Sequence, residues 1–411
     1  MKIGTTETIS CVGLDCHRNF SSVTARDSAM KVIWRRRLDH RNRLKLHQEL
    51  SSWPRGMPVI LEGTFGWGWI GWGWMSDELK RAELDPHLSS STKVAAWRKA
   101  RNMPKSNKRD ADLLSELWGQ QPRWWEVWCA PPEVGDLREL LRQRMSLVQM
   151  QTRLKNQIHA TLHRHGLICE MSDLFGRAGR AWLSAMLADP ATPLRETGRS
   201  TLRSYLDLLE QVRMRVAVAT RQFRWIVRKD PAARRLMTLP GVSTILGYTI
   251  LAEIGRIERF ADGRHLSSYS LLAPMADDSG DDHPDQAPIG RHVGRMGRTT
   301  LKWAWIEASR SAVRKSPRMR VLFDRYTQGG KYNRNRGYIA VAHQLCLIGY
   351  VLWKKNQDYQ ETPPPRPGSR QQVQLENTDG QKPKSRRLKI KEDSRPGTGQ
   401  PQAAMATQVA Q

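Results

Sequence analysis

Asp15 closes a short apolar run, ISCVGLD, and Glu62 closes another, MPVILEG. An acid just past the end of a strand lines the crevice in which open α/β sheets bind their ligands. Further along, KSNKRDADLL sets Asn107 and Asp110 at i and i+3, on one face of a helix. Carboxylates converging from different elements can hold Mg²⁺ ions ~4 Å apart, one activating an attacking oxygen and the other stabilising the oxygen that leaves. That is the chemistry of phosphodiester cleavage. Asp112, two residues on, points to the opposite side of the helix and is a poor ligand. Singly, each acid has an ordinary reading: Asp15 can cap a turn, and Asp110 can be a solvated helix residue. The combination is the more specific signal.

Other residue groups are weaker. SYSLLAPMADDSGDD holds Ser279 beside a glycine, among Asp277, Asp278, Asp281 and Asp282. Serines in polar turns are mostly structural, and the acids would repel phosphate. Arg291, His292, Arg295, Arg298 and Lys302 suit a phosphate-lined groove, although each alone also reads as a solvated charge. Arg138, Arg142, Arg144, Arg153 and Lys155 could follow a nucleic-acid backbone or form a plain solvated face. His159, His163 and His165 have helical spacing but no nearby Cys or acid, so a basic face is the better reading than a metal site. In GWGWIGWGW, Trp67 and Trp74 share one helical face, with Trp69 and Trp72 roughly opposite; core packing is preferred to base stacking.

The elements that must position these residues change character along the chain. Residues 8–15, 20–26, 30–36 and 57–63 read as strands, and helical stretches follow at 40–52, up to about 82, and over SSTKVAAWRKA and KRDADLLSELW. Strands alternating with helices predict an α/β layer with a central sheet over 1–125. From 131 to 228 two long amphipathic helices predict a coiled-coil or spacer region. In the first, Leu137, Leu140 or Leu141, Met145, Leu147 or Val148, Leu154, Ile158 and Leu162 make the apolar stripe. Residues 229–356 read as a mainly α domain, in which LPGVSTILGYTILAEIG has the form of a helix-hairpin-helix element. Such a turn brings backbone N–H groups to phosphates without reading bases. From 357 to 411 the composition is Pro, Gln, Lys, Arg and Ser, and a disordered basic tail is expected.

Bulk properties narrow the partner. The 411 residues have room for two or three domains, and 67 Lys+Arg against 40 Asp+Glu give a net charge of +27. So large an excess opposes compaction by self-repulsion and fits a polyanionic partner, nucleic acid above all. No stretch approaches the ~18 apolar residues of a spanning helix, and the N-terminus lacks the apolar run of a signal peptide. Cys11, Cys16, Cys129, Cys169 and Cys346 are scattered and odd in number, which predicts reduced thiols in a cytoplasmic protein.

GLDCHR, ILEGTFG and KSNKRDA in succession resemble the ribonuclease-H-like (RuvC-type) DEDD domain of a bacterial insertion-sequence transposase family. That family is related to the Piv-type DNA invertases and includes the bridge-RNA-guided recombinases. LPGVSTILGYTILAEIGRIERF, the serine segment and GRHVGRMGRTTLKWAWIEASRSAVRK resemble its C-terminal transposase domain. The two halves occur in the family's order over roughly residues 8–350. The resemblance implies a Mg²⁺ site at Asp15, Glu62, Asn107 and Asp110, with Asn107 standing where the family has Asp. An amide oxygen still suits a hard cation but brings no charge. It also implies Ser279 as a nucleophile that joins DNA through a phosphoserine bond. The implied partners are donor and target double-stranded DNA, a structured guide RNA and a second or further copy in a homodimer or homotetramer. No membrane is implied; the implied setting is the bacterial cytoplasm, in association with the nucleoid. A non-cleaving nucleic-acid binder and a hydrolytic RuvC-like nuclease are the alternatives.

Overall fold

A computed structural model of the chain describes residues 8–63, 73–104, 107–276, 290–293 and 297–361, of which 107–108, 274–276 and 290–293 in backbone only. The chain opens with an antiparallel meander, β1 (Cys11–Cys16), β2 (Phe20–Arg26) and β3 (Val32–Asp39), followed by α1 (Arg43–Ser51). β4 (Pro58–Gly63) returns parallel to β1; α2 (Gly73–Arg81) follows, and β5 (Asp85–Ser90) lies parallel to β4. Then come α3 (Ser91–Ala100), α4 (Asn107–Leu117) and a two-residue edge strand, β6 (Glu126–Val127), antiparallel to β5. The result is a mixed six-stranded sheet in the order β3-β2-β1-β4-β5-β6.

The period-2 alternation of strands decides which side chain goes where. Val12, Leu14, Val59 and Leu61 face one side, in a core with Leu46 and Leu50 of α1 and Met75 and Leu79 of α2. Cys11 and Ile60 face the other, against Leu113, Leu114 and Leu117 of α4. Gly13 lies between them: a Cβ there would stand 2.3 Å from both the Ala111 carbonyl oxygen and the Ser115 nitrogen. Helix α4 therefore lies directly on the β1 backbone.

The outer side of α4 is latched to the meander. Arg35 donates to Asp112 at 2.8 and 3.0 Å, and Thr24 Oγ1 donates to the same carboxylate at 2.8 Å. Burial pushes the Asp112 pKa up, but the hydrogen bonds from Arg35 and Thr24 outweigh it and hold the carboxyl below its usual value. A depressed folded-state pKa means stability present above the unfolded value of about 3.9 and lost as pH falls through the folded value. Asp112→Asn is expected to cost about 1–2 kcal/mol at pH 7, since Arg35 is partly exposed and its charge-assisted bonds are screened. Urea titrations should show that gap closing below about pH 4; an equal gap at pH 7 and pH 3 contradicts the latch.

From β6 the chain becomes helical: α5 (Pro132–Arg164), α6 (Arg177–Ala188), α7 (Glu196–Lys229), α8 (Pro231–Leu236), α9 (Thr244–Ile254) and α10 (Gly263–Tyr269). A short antiparallel pair, β7 (Pro274–Ala276) and β8 (Gly290–Val293), precedes α11 (Thr299–Lys315), α12 (Pro317–Thr327) and α13 (Arg334–Lys355). Helices α5 and α7 pack against each other as a hairpin, with Arg144 Nε donating to Thr220 Oγ1 at 3.0 Å. Its apolar stripe is buried only toward the ends. Leu141 packs with Phe223 and Val227, and Ile158 and Leu162 pack with α6 and Leu202. Between Leu141 and Ile158, α5 has no buried residue, so Met145, Leu147, Val148 and Leu154 are not enclosed by the hairpin itself. Two helices alone cannot surround a seam.

Helices α9, α11 and α13 enclose the C-terminal core around Trp305, Ile250 and Leu345. Residues 357–361, the start of the stretch expected to be disordered, lie on this core: the Tyr359 amide donates to Thr238 at 2.8 Å, and Ser316 bonds Glu361 at 2.7 Å. The remainder, 362–411, lies outside the described residues. Among the described residues no helix is long and apolar enough to cross a membrane.

Candidate functional site

Asp15 follows Leu14, which pairs with Leu61 across the parallel β1–β4 ladder, so Asp15 and Glu62 are side-by-side neighbours at the C-terminal ends of the two strands. Asp15 has the parity of Gly13 and Glu62 that of Ile60, so both point to the α4 face of the sheet. Helix α4 runs antiparallel to β1. Ser115 meets Cys11 and Gly13, and Ala111 meets Gly13, which places the helix start at the strand's C-terminal edge. Asp110 sits in the first turn there and is 5 % exposed. Three acids from three elements thus share one edge and one face.

Asp15 and Asp110 each have a nitrogen-bearing side chain beside them. Asp15 Oδ2 lies 3.1 Å from His17 Nε2, and Asp110 Oδ1 accepts from Arg98 Nη1 at 3.0 Å. Neither His17 nor Arg98 was marked by sequence spacing, although His17 stands in the same GLDCHR run as Asp15. Asn107 is the first residue of α4, one turn before Asp110; of its side chain nothing is described. Among the described residues no three His, Cys, Asp or Glu side chains are grouped closely enough to hold a metal ion. The acids face the same edge, with the Arg98 guanidinium providing positive charge there. All-oxygen donors of this kind suit a hard cation such as Mg²⁺. Asp112 is turned to Arg35 and Thr24, as its helical position predicts.

Ser279 and its four neighbouring acids fall between β7 and β8, outside the described residues, as does Arg295. Arg291 lies in β8, described in backbone only. Arg298 precedes α11 as its N-cap and reaches Glu253, Nη1 to Oε2, at 3.4 Å; Lys302 follows one turn into the helix.

Several expected contacts look inward instead. The turn between α8 and α9 has the helix–turn–helix form, with Gly241 at φ +87. A Cβ at Gly241 would lie 2.1 Å from the Ala308 carbonyl oxygen, so the close approach is to the protein's own α11. Arg138, read as following a nucleic-acid backbone or as part of a solvated face, is 7 % exposed and caps the end of α9 through the Ala252 and Glu253 carbonyls at 3.0 and 2.9 Å. Trp74 packs edge-on against His40 at 5.0 Å and beneath Arg43 at 3.9 Å, whereas Trp67, Trp69 and Trp72 lie outside the described residues. His159 packs on Phe175 at 5.3 Å.

Similarity to known proteins covers both halves. Residues 12–166 match a DEDD transposase family of the IS110 type, and residues 233–324 match the family described as Transposase IS116/IS110/IS902. The first stretch contains Asp15, Glu62, Asn107 and Asp110; the second contains Ser279 and Arg298. A relative, the transposase for insertion sequence element IS1111A of Coxiella burnetii (strain RSA 493 / Nine Mile phase I), is 23 % identical over 267 residues, which is 62 % of this chain and 68 % of its own length.

Proposed function

Transposase families of the IS110 type match this chain in series, and on that footing we propose that this transposase-family protein cuts and rejoins DNA with a two-part site. One part is the acidic edge of a ribonuclease-H-like (RuvC-type) N-terminal domain; the other is Ser279 of the C-terminal transposase domain. The observation that carries the reading is the side-by-side placement of Asp15 and Glu62, each following the Leu14–Leu61 pair of adjacent parallel strands, with Asp110 opening α4 on the same face.

Asp15, Glu62 and Asp110, with the Asn107 amide, would hold Mg²⁺. When bound, it supplies charge stabilisation to the scissile phosphate. The Ser279 hydroxyl attacks phosphorus, its proton leaves, and the P–O bond to one sugar oxygen breaks, so that oxygen departs as a hydroxyl. The phosphoserine ester retains the phosphodiester bond energy. A sugar hydroxyl from another strand then displaces the serine, so no ATP is required. Arg291, Arg295, Arg298 and Lys302 hold backbone phosphates.

The partners of this reading are donor and target double-stranded DNA, a structured guide RNA and further copies of the chain in a homodimer or homotetramer, in the bacterial cytoplasm at the nucleoid. The charge of +27 supports polyanionic partners. The open middle of the α5–α7 hairpin supports self-association: Met150, Met214 and Val218 are 50, 56 and 49 % exposed. Asn107 favours a second reading, a nucleic-acid binder that does not cleave.

The test incubates purified protein with Mg²⁺, DNA carrying the element ends, and RNA transcribed from the flanking sequence. A covalent protein–DNA adduct absent in Ser279→Ala is the expected result. Cleavage that survives Ser279→Ala sinks the serine step and leaves a hydrolytic nuclease. Cleavage that arises only in Asn107→Asp supports the second reading.

A further inference from the structure

Four guanidinium groups gather where the base of α5 meets the end of α9. Arg138 is buried against the Ala252 and Glu253 carbonyls. Arg142, one turn further along α5, is half-buried, with no hydrogen bond or ion pair from its side chain among the described residues. Arg259 lies over Trp128, Phe260 and Tyr269 at 4.4, 4.1 and 4.3 Å and donates Nε to the Ile254 carbonyl at 3.1 Å. Its Nη2 is buried and has no hydrogen-bond partner among the described residues. Arg298 closes the group from α11 through its 3.4 Å approach to Glu253.

Among the described residues the positive charge is not balanced. Glu253 is the buried acid among the four, and Glu139 faces Arg142 from the same helix. Burial, and then the charge of Arg298, push the Arg138 pKa down to about 10, and the same influences lower Arg142 and Arg259. A buried guanidinium donor without an acceptor is costly unless a ligand supplies one. The cluster is also well placed. Gly297, at φ +144, packs on Leu271, so the two ends of the span that carries Ser279 meet immediately beside Arg298.

We propose that Arg138, Arg142, Arg259 and Arg298 form a seat for one backbone phosphate of DNA, at the root of the Ser279 span. The proposal rests on the DNA-recombinase reading. Arg298 belongs to the basic run already assigned to DNA; the other three lie outside that run, Arg138 and Arg142 on α5 and Arg259 just after α9, and their joining with Arg298 in one phosphate site is new. The arginines offer planar, multidentate donors to phosphate oxygens, and Arg259 Nη2 supplies a donor already desolvated. DNA is the favoured occupant over RNA because the cluster adjoins the segment that carries the proposed nucleophile.

The test measures binding of the full chain to a duplex DNA of about 30 base pairs by fluorescence anisotropy across NaCl concentrations, long enough to cover a full site. Arg142→Gln/Arg298→Gln changes the two more accessible members, and Arg142→Gln alone serves if the double variant unfolds. Loss of one phosphate contact should weaken binding at every salt concentration and lower the slope of log K against log[salt] by about 1. Arg259→Lys, which keeps the charge but not the planar fork, should weaken binding less than Arg259→Gln. An unchanged slope in a folded variant overturns the seat, as does a slope that changes on duplex RNA but not on DNA. An adduct through Ser279 with an unchanged slope defeats the seat alone; a reduced slope without an adduct defeats the serine mechanism alone.

Discussion

Asp15→Asn and Glu62→Gln are each expected to lower Mg²⁺-dependent DNA cleavage by about 100-fold or more, while duplex binding is kept. The size follows from where the charges sit. Changing even the groups that support metal ligands typically costs 10–100-fold, so removal of a ligand charge should exceed that. The amide replacements keep shape and an oxygen donor, which separates loss of charge from loss of packing. Asp15 is 7 % exposed and lies 3.1 Å from His17, so Asp15→Asn removes the carboxylate and leaves the ring a neutral acceptor. That should cost no more than about 1–2 kcal/mol of stability. Because the neighbouring strand-end acids act as one unit, the double variant should be little worse than either single change. Raising Mg²⁺ should rescue Glu62→Gln in part. Cleavage within about tenfold of the unaltered protein, a barrier change of ~1.4 kcal/mol, would remove the acidic edge from the mechanism.

How much of this site could be read from the sequence depends on the range of the interaction involved. Asp15 and Glu62 are legible because each ends a short apolar run, and burial on both sheet faces requires such runs. β5 is not legible: DPHLSS contains Pro86, has no β-branched residue and buries Leu88 and Ser89 alone. Its strand conformation comes from parallel pairing with β4 and from the Ser90 amide bonded to Trp125 at 2.8 Å. The short β6, β7 and β8 escape for the same reason, since pairing rather than propensity creates them. Helical stripes locate α5 and α7 well, yet the stripe cannot say whether its partner is the hairpin or another chain. The inward turn of Arg138 and the pairing of Arg98 with Asp110 join residues from different helices, and local spacing carries no information about them. Ser279 is a different case: its role comes from resemblance, because a serine in a polar turn has no local physical mark.

Gly13→Ala should damage both stability and chemistry, and the second effect should be the larger. The added Cβ would stand 2.3 Å from the Ala111 carbonyl oxygen and the Ser115 nitrogen, and 3.0 Å from the Leu114 carbonyl carbon. All three belong to the α4 backbone, so no side-chain rotation can make room; the helix has to lift off β1. Overpacking of this kind costs about 1–3 kcal/mol, and the rigid obstacle places Gly13→Ala at the upper end. The latch from Arg35 and Thr24 to Asp112 resists the same movement from the other side of the helix. Asp110 and Asn107 open α4, so any lift moves them relative to Asp15 and Glu62, which stay on the sheet. A displacement of about 1 Å in catalytic geometry can cost roughly 100-fold in rate. Gly135→Ala is the matched control: it lies within α5, has nothing within 4 Å of its Cβ position, and should gain about 0.5–1 kcal/mol from the helix. Cleavage assayed at a temperature where both variants are folded separates the effects. Gly13→Ala with unaltered urea midpoint and unaltered cleavage would mean that α4 is not pinned on β1, and that the shared edge of Asp15, Glu62 and Asp110 is not what positions the reaction.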